Sequence, residues 1–442
     1  MHRLLPCLAL LVGTAASAQR PVTAADSALI GRILLAEDRR DSSASAIAEG
    51  LRHSDARISV IARRARSRIR DPKFTARDSL PALAAPPKYT DPAWRIRLRE
   101  LRTIRADCET MRHALAHTAW PVRLAAADTV AASCGSDAAV VGILVDWATG
   151  APANARRTPG GVSFHAAGHA IVALAKLSPD RARRLLPTVA SNPVPWLRAY
   201  AARAARLLSD TSTLQRLARD ANDNVKEAAI DALARVAGHS ADDDYVAALS
   251  ARGYQAVRAG ARALKGSPKG AALVAPLVSA LRRIAADSNE PSRDARMALV
   301  ERAGEFTTAP APWLAAIGNT FDCEVTRAVA AIAARVGAAA PKCTPLAISL
   351  PADAVSLALG RDVRLRVTLA DSSGGRSFVV RLRGDVAPIM AARILALARS
   401  GYYNGRTWHR VEPDFVIQGG GGGTEYIGYP RFFRDELGTV PH

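Results

Sequence analysis

The chain has 442 residues, enough for about two or three domains that each bury a core, so it is not a small disulfide-dependent scaffold. Its 60 Lys and Arg against 40 Asp and Glu give a net charge of +20, which would suit an acidic partner such as nucleic acid. Only seven of those 60 are Lys, and the arginines are scattered along Ala-rich helical segments without interleaved aromatic side chains. We therefore expect no nucleic-acid partner.

The first residues, MHRLLPCLALLVGTAASAQRP, combine a basic start, an apolar run and the small-residue pattern Ala16-Ser17-Ala18. This pattern predicts a secretory signal peptide over residues 1–18 that is cleaved after Ala18. The mature protein is then expected to be secreted or periplasmic. No later stretch reaches about 18 uninterrupted apolar residues, so the sequence predicts no membrane span.

Four cysteines follow the signal peptide, and an even number in an oxidising compartment favours disulfides. Cys108 would begin one helix and Cys134 would end the next, so the two would meet at one end of a helical hairpin. Pairing Cys323 with Cys343 requires the chain to run back along a helix. Because no spacing resembles CxxC, we expect disulfides rather than a metal site.

Two pairs of histidines raise the same question. His113 and His117, like His165 and His169, are four residues apart, which would place both rings on one helix face as metal ligands require. Neither pair has the Glu of an HExxH motif, and neither has a convincing third ligand nearby. We expect ordinary helix positions and no metal.

From about residue 54 to 337 one pattern recurs: an apolar residue, often followed by Arg or Lys, and then an Ala-rich helix. Copies include WPVRLAAADTVAASC, VPWLRAYAARAARLL and CEVTRAVAAIAARVG, and their anchors fall about 28 to 37 residues apart when a copy near Arg293 is counted. The pattern resembles the HEAT repeat family, in which this motif marks the second helix of each antiparallel pair. The resemblance implies an all-α solenoid over residues 19–345 whose concave surface takes a protein partner.

After Cys343 the composition changes to that of a linker, residues 346–360, and the periodicity then becomes two. VRLRVTLA and SFVVRLRG alternate apolar and polar residues around the turn DSSGGR, which predicts a β-hairpin. A helix is expected from about 387 to 398, and two further strands at Thr407–Val411 and Phe415–Gln418.

The order of these elements, with LARSGYYNG, WHRVEPDFVIQGG and FFRDE, resembles the first half of a cyclophilin-type peptidyl-prolyl cis-trans isomerase. This resemblance covers residues 361–442 and implies an α+β domain, a partial β-barrel that is incomplete at the C-terminus. It also implies that the protein is an isomerase of X-Pro bonds, with proline-containing proteins or peptides as clients.

The resemblance assigns roles to single residues. Arg410 matches the catalytic arginine of the family, Phe415 the floor of the proline pocket and Gln418 the amide that holds the substrate backbone, with Val416 between them as a further substrate contact. Rotation about the X-Pro bond is slow because of amide resonance, and a donor to the prolyl nitrogen weakens that resonance. A guanidinium supplies such donors in a fixed fork, so no metal or cofactor is expected.

Two explanations of the missing second half stay open. The sequence could be a fragment of a longer product, or the isomerase domain could be degenerate while the helical array does the work. The leading prediction is an isomerase of clients outside the cytoplasm, with the array as a scaffold for clients or partners. The alternative is a non-catalytic protein-binding scaffold of HEAT repeats.

The glycine run Gly419–Gly423 is interpreted within the same pattern. A phosphate-binding loop would need Lys and then Ser or Thr after the run, which the sequence does not have. We expect Gly419 and Gly420 to form the turn after the pocket strand, where the backbone passes close to its neighbours without a Cβ.

Overall fold

The computed structural model describes residues 20–71, 90–103, 107–153, 163–285, 292–318, 322–343, 349–369, 375–406, 408–412, 416–420 and 436. The predicted signal peptide, residues 1–18, lies outside these residues. Contacts divide the chain into two compact units. The described part of the smaller unit is 20–71, 349–404 and Glu436, and that of the larger unit is 90–343 and 405–420.

The described residues are mostly helical. In chain order the elements are α1 (Ala24–Arg39), α2 (Ser45–Leu51), α3 (Ala56–Arg70), α4 (Ala93–Thr103), α5 (Cys108–Leu115), α6 (Trp120–Thr129), α7 (Ala138–Thr149), α8 (Phe164–Leu177), α9 (Pro179–Ala190), α10 (Pro195–Leu207), α11 (Thr211–Ala218), α12 (Asp223–Val236), α13 (Asp242–Ala248), α14 (Tyr254–Ala263), α15 (Val274–Ala285), α16 (Arg293–Phe306), α17 (Pro312–Gly318), α18 (Cys323–Arg335), α19 (Ala354–Ala358), β1 (Val363–Thr368), β2 (Ser377–Leu382), α20 (Pro388–Arg399), β3 (Trp408–Glu412) and β4 (Val416–Gly419). Short 3₁₀ turns lie at Ala132–Ser136, Gly238–Ala241 and Gly270–Leu273.

Polar side chains fix where many of these helices begin. An Asp, Ser, Thr or Asn at the N-cap accepts a hydrogen bond from a backbone N–H of the first turn, which would otherwise have no partner. This holds for Thr23, Asp55, Asp107, Asp137, Ser163, Asp210, Asn222 and Asp322. A short polar side chain therefore marks the first turn of each of these eight helices.

In the larger unit, helices α5 to α18 form seven successive pairs within the described residues, and the pairs stack in two layers. One layer runs α6, α8, α10, α12, α14, α16 and α18, each helix packed on the next. The repeat copies recognised in the sequence fall on the second helices of pairs, among them α6, α10, α12, α14 and α18. Membership of the HEAT family remains a prediction.

A single apolar core runs through the larger unit. It is rich in Ala, with Leu, Ile and Val at the helical spacing of three and four, as on α10 and α12. Small side chains allow the helices of one layer to approach closely. A Cβ at Gly304 on α16, for example, would lie 2.5 Å from Cδ1 of Ile332 on α18.

The smaller unit brings helices α1–α3 together with residues 354–395 in one core. Leu29, Ile33, Ile58 and Ala65 from α1 and α3 are buried together with residues of α19, β1, β2 and α20. Because periodicity gives the buried face of a helix but not its partner, the sequence did not show that α1–α3 pack here. The smaller contact unit therefore also includes residues 20–71, which were predicted to belong to the helical array.

The predicted linker, residues 346–360, contains a short helix. Helix α19 (Ala354–Ala358) lies within it, and Ala354 and Leu357 are fully buried in the core of the smaller unit. Gly384 lies against this helix, since a Cβ there would be 2.6 Å from the Cβ of Leu357.

The four strands form two antiparallel hairpins in the described part of the chain, β1 with β2 and β3 with β4. Val363 lies opposite Leu382 in the first, and both are buried, whereas Phe378, Val379 and Val380 are exposed. Each hairpin is its own two-stranded sheet, so the predicted partial barrel stays an expectation from the resemblance. No helix among the described residues has the length and hydrophobicity needed to span a bilayer.

Candidate active site

The candidate site residues lie on the hairpin of β3 and β4. Its register places Arg410 opposite Gln418, Val411 opposite Ile417 and Glu412 opposite Val416. An irregularity between Trp408 and Arg410 precedes this regular stretch.

The register places three of the four predicted site positions on one face of the hairpin. Directly opposed residues of an antiparallel pair share a face, and residues two apart on a strand share it as well. Positions 410, 416 and 418 therefore belong to one face of the hairpin. Val416 is half-buried and Gln418 is exposed, while Phe415 lies outside the described residues.

Gly419 is the last residue of β4 and Gly420 follows it, at the positions where the sequence predicts a turn. A Cβ at Gly419 would lie 2.5 Å from Cε3 of Trp408, the residue opposite it in the register. Gly420 has φ of +84°, a left-handed conformation that favours glycine. The hairpin therefore requires glycine at 419 for space and at 420 for backbone conformation.

The chain between α20 and β3 carries the tyrosines of the SGYYNG stretch. Gly401 and Gly405 have φ of +74° and +73°, and the rings of Tyr402 and Tyr403 meet edge to face with centroids 5.1 Å apart. Partial burial, with Tyr402 beside it, raises the pKa of the Tyr403 hydroxyl.

The histidine pairs have defined surroundings that do not resemble a metal centre. On α8, His169 contacts Asp128 through Nδ1 at 2.6 Å and the hydroxyl of Tyr200 through Nε2 at 2.9 Å, so both ring nitrogens are engaged. His165 is exposed. On the other pair, Nδ1 of His117 accepts the backbone N–H of Ala119. Within the described ranges no three His, Cys, Asp or Glu side chains are grouped to hold a metal ion.

The four cysteines form two disulfides in the structure. Cys108, the first residue of α5, is bonded to Cys134 with a Cα–Cα distance of 5.5 Å. Cys134 lies in the 3₁₀ turn Ala132–Ser136 rather than at the end of α6, which stops at Thr129. Cys323, the first residue of α18, is bonded to Cys343.

Sequence reasoning missed a group of charged side chains buried in the smaller unit. Glu37 on α1 lies beside Arg64 and Arg68 on α3, and Glu436 lies at the start of α20. Burial tends to raise the pKa of Glu37, but Arg64 and Arg68 outweigh it and the pKa falls below its usual value. The sequence signal was faint, a charged residue at the spacing of a buried helix face, as in Leu34 and Glu37.

The pKa values of Arg68 and Glu436 shift in the direction that burial imposes. Burial lowers the pKa of Arg68, partly offset by Glu37. Burial also raises the pKa of Glu436, partly offset by the backbone N–H groups of Met390 and Ile389.

Comparison with known proteins identifies the segment that contains the hairpin. Residues 366–439 match the family model of the cyclophilin type peptidyl-prolyl cis-trans isomerase. The chain thus carries a cyclophilin-type isomerase domain at its C-terminal end, preceded by a mostly helical region.

Relatives with isomerase names match the same part of the chain. A Staphylococcus haemolyticus protein, provisionally named a peptidyl-prolyl cis-trans isomerase, is 38% identical over 82 residues, which is 17% of this chain and 40% of that protein. Peptidyl-prolyl cis-trans isomerase ppi1 of Schizosaccharomyces pombe is 40% identical over 70 residues, 14% of this chain and 44% of that protein. Peptidyl-prolyl cis-trans isomerase-like 2 of Cryptococcus neoformans var. neoformans is 42% identical over 65 residues, 13% of this chain and 11% of that protein. The chain therefore spans less than half the length of these relatives.

Proposed function

We propose that the protein is a peptidyl-prolyl cis-trans isomerase that acts on X-Pro bonds of protein clients outside the cytoplasm. The observation that carries the proposal is the match of residues 366–439 to the cyclophilin-type isomerase family, which includes the hairpin of β3 and β4. The signal-peptide pattern before Gln19 and the two disulfides support a location in an oxidising compartment.

The chemistry assigned to Arg410 follows from the amide it would act on. Conjugation of the prolyl nitrogen with the carbonyl group opposes rotation, with a barrier of about 18 to 20 kcal/mol. Donation of a hydrogen bond to that nitrogen holds its lone pair on the nitrogen, which weakens the partial double bond in the twisted state. Because the donor acts on the twisted state more than on the planar one, it lowers the barrier instead of only binding substrate.

Gln418 and Val416 would hold the client beside that donor. Gln418, opposite Arg410 in the register, offers an amide that can both donate to and accept from a peptide backbone. Val416 supplies apolar surface for the proline ring, together with Phe415. The stacked pairs α5 to α18 would serve as the scaffold that presents clients or a partner protein.

The test is the rate of cis-trans isomerisation of a proline-containing peptide with the full chain. Arg410→Ala should reduce kcat/KM by about 100-fold or more, the cost of removing one donor to a transition state. Arg366→Ala is the matched control, since Arg366 is exposed on β1 within the same family match. Equal, uncatalysed rates for the unmodified chain and Arg410→Ala would contradict catalysis and support the non-catalytic scaffold.

A further inference from the structure

Three charged side chains are buried where α1 and α3 meet the isomerase segment. Nη1 of Arg68 lies 2.5 Å from Oε1 of Glu37, and Nη2 of Arg64 lies 3.1 Å from Oε2 of the same carboxylate. The Arg68 and Glu37 side chains are 1% and 3% exposed. Two guanidinium groups share one carboxylate, so this buried charge cluster has N–H donors left over that need further acceptors.

The further acceptors come from the isomerase segment. Nη1 of Arg64 donates to the backbone oxygen of Asp385 at 2.7 Å. Nη2 of Arg68 donates to the backbone oxygen of Val386 at 2.8 Å and to that of Glu436 at 3.3 Å. Val386 precedes α20, whereas Glu436 follows β4 and ends the FFRDE stretch. One guanidinium from α3 thus contacts both ends of the stretch that carries Arg410.

The same two ends are also joined to each other. The Glu436 carboxylate accepts hydrogen bonds from the backbone N–H groups of Ile389 at 3.2 Å and Met390 at 2.8 Å, in the first turn of α20. The N-cap residue Ala387 has no side-chain oxygen that could accept these hydrogen bonds. A carboxylate at this place also interacts favourably with the positive end of the helix dipole.

We propose that Arg68 is a positioning residue of the isomerase, through which helices α1–α3 hold together the two ends of residues 386–436. The role in catalysis rests on the proposed function, while the structural role does not. Helices α1–α3 share their core with α19, β1, β2 and α20, so we assign them to the smaller unit and not to the repeat array.

Arg68→Met is an informative variant because it removes the donors without leaving a buried carboxylate unpaired. Glu37 keeps Arg64 as its partner, and Glu436 keeps the backbone N–H groups of Ile389 and Met390. Met also fills much of the volume of the Arg side chain. Arg63→Met is the matched control, since Arg63 is exposed on the same helix.

The experiment measures hydrogen exchange at Ile389 and Met390 and kcat/KM with a proline-containing peptide, both on the full chain. We expect Arg68→Met to speed exchange at these amides at least tenfold and to lower kcat/KM at least fivefold, with Arg63→Met unchanged. Exchange in the α10 and α12 helices of the larger unit should stay as in the unmodified chain, which a general loss of stability would alter.

A folded Arg68→Met with unchanged exchange and kcat/KM within twofold of the unmodified chain would overturn the proposal. If Arg68→Met does not fold, Arg68→Lys takes its place, because Lys keeps the charge but lacks the forked donors of the guanidinium group. Hydrogen exchange at Ile389 and Met390 and kcat/KM then test the proposal in the same way. If the unmodified chain shows no isomerase activity, the proposed function fails, and exchange at Ile389 and Met390 alone decides whether Arg68 holds the two ends.

Discussion

Arg198 and Asp220 form a two-point ion pair between neighbouring helices of the stacked layer. Nε and Nη2 of Arg198 on α10 lie 2.7 and 2.8 Å from the two carboxylate oxygens of Asp220, which precedes α12. Arg198 also donates to the backbone oxygens of Asn192 and Pro193. Burial alone would raise the pKa of Asp220, but Arg198 and the N–H of Asn222 lower it below its usual value.

Similar ion pairs recur along the layer and involve several of the scattered arginines. Arg258 on α14 lies 2.7 Å from Glu227 on α12 and 3.1 Å from Asp294 on α16. Arg293 lies 2.7 Å from Asp322 at the start of α18. These arginines connect successive helices instead of forming one basic surface.

Arg198→Lys should lower the free energy of unfolding by about 1 to 2 kcal/mol, because Lys keeps the charge but cannot make the forked contact with Asp220 and the two carbonyls. Urea unfolding followed by circular dichroism measures the change. Arg206→Lys, at a half-exposed position of the same helix, is the control. A cost no larger than that of the control would show that the fork adds nothing to stability.

Gly168 is required by Tyr200, whereas Gly142 has no comparable neighbour. A Cβ at Gly168 on α8 would lie 2.3 Å from Cδ2 of Tyr200, and a Cβ at Gly142 on α7 would meet nothing within 4 Å. Gly168→Ala should therefore destabilise by about 1 to 3 kcal/mol through overpacking. Gly142→Ala should stabilise by roughly 0.5 to 1 kcal/mol, since Ala favours the helix. Equal signs for the two changes in melting temperature would contradict this contrast.

Much of the fold could be predicted from local patterns. Periodicity of two predicted β1 and β2, and the recurring apolar residue followed by an Ala-rich helix predicted the repeat helices. Helix α19 was missed because five residues next to a proline give no periodicity. The packing of α1–α3 on the isomerase segment was also missed, since α3 has the same amphipathic pattern as the repeat helices.

In the candidate site, too, the local sequence motif could be predicted, whereas contacts between residues far apart in the chain could not. The motif that contains Arg410, Val416 and Gln418 is a local string, so sequence reasoning found it together with the hairpin that carries it. Arg68 and Glu436 are far apart in the chain and meet only in the folded structure. A buried arginine in an Arg-rich helix, RRARSRIR, has no local feature that distinguishes it from its exposed neighbours.

Asp55 should make the stability of the smaller unit sensitive to acid. Hydrogen bonds from the side chain and the backbone N–H of Arg57 lower the pKa of Asp55 from 3.8 to about 2. Since the folded pKa lies below the unfolded one, the charge contributes stability above pH 3.8, and this contribution is lost as the pH falls through about 2.

Asp55→Asn tests this pH dependence, because Asn keeps an oxygen for the N-cap of α3 and lacks the charge. Urea midpoints of the two chains should differ most near pH 6 and converge as the pH falls below 3.8. Asp180→Asn is the control, since the Asp180 side chain is 89% exposed. A difference that stays constant from pH 6 to the acid limit would rule out the carboxylate as its source.

The two disulfides should make the oxidised protein more stable than the reduced protein. Cys108 and Cys134 are 26 residues apart and Cys323 and Cys343 are 20 apart, so each bond closes a loop in the unfolded chain. Replacing Cys108 and Cys134 together by Ser should cost about 3 to 4 kcal/mol of stability, and the other pair slightly less because its loop is shorter.

Protein expressed with residues 1–18, the predicted signal peptide, and directed to an oxidising compartment provides the measurement. Alkylation without reductant, followed by peptide mass mapping, should show four blocked cysteines and the linked peptides 108–134 and 323–343. Reductant should lower the melting temperature of the unmodified chain and leave that of the variant with all four cysteines replaced by Ser unchanged. Four freely alkylated cysteines in exported protein would contradict both disulfides, because thiols this close in an oxidising compartment are expected to be oxidised.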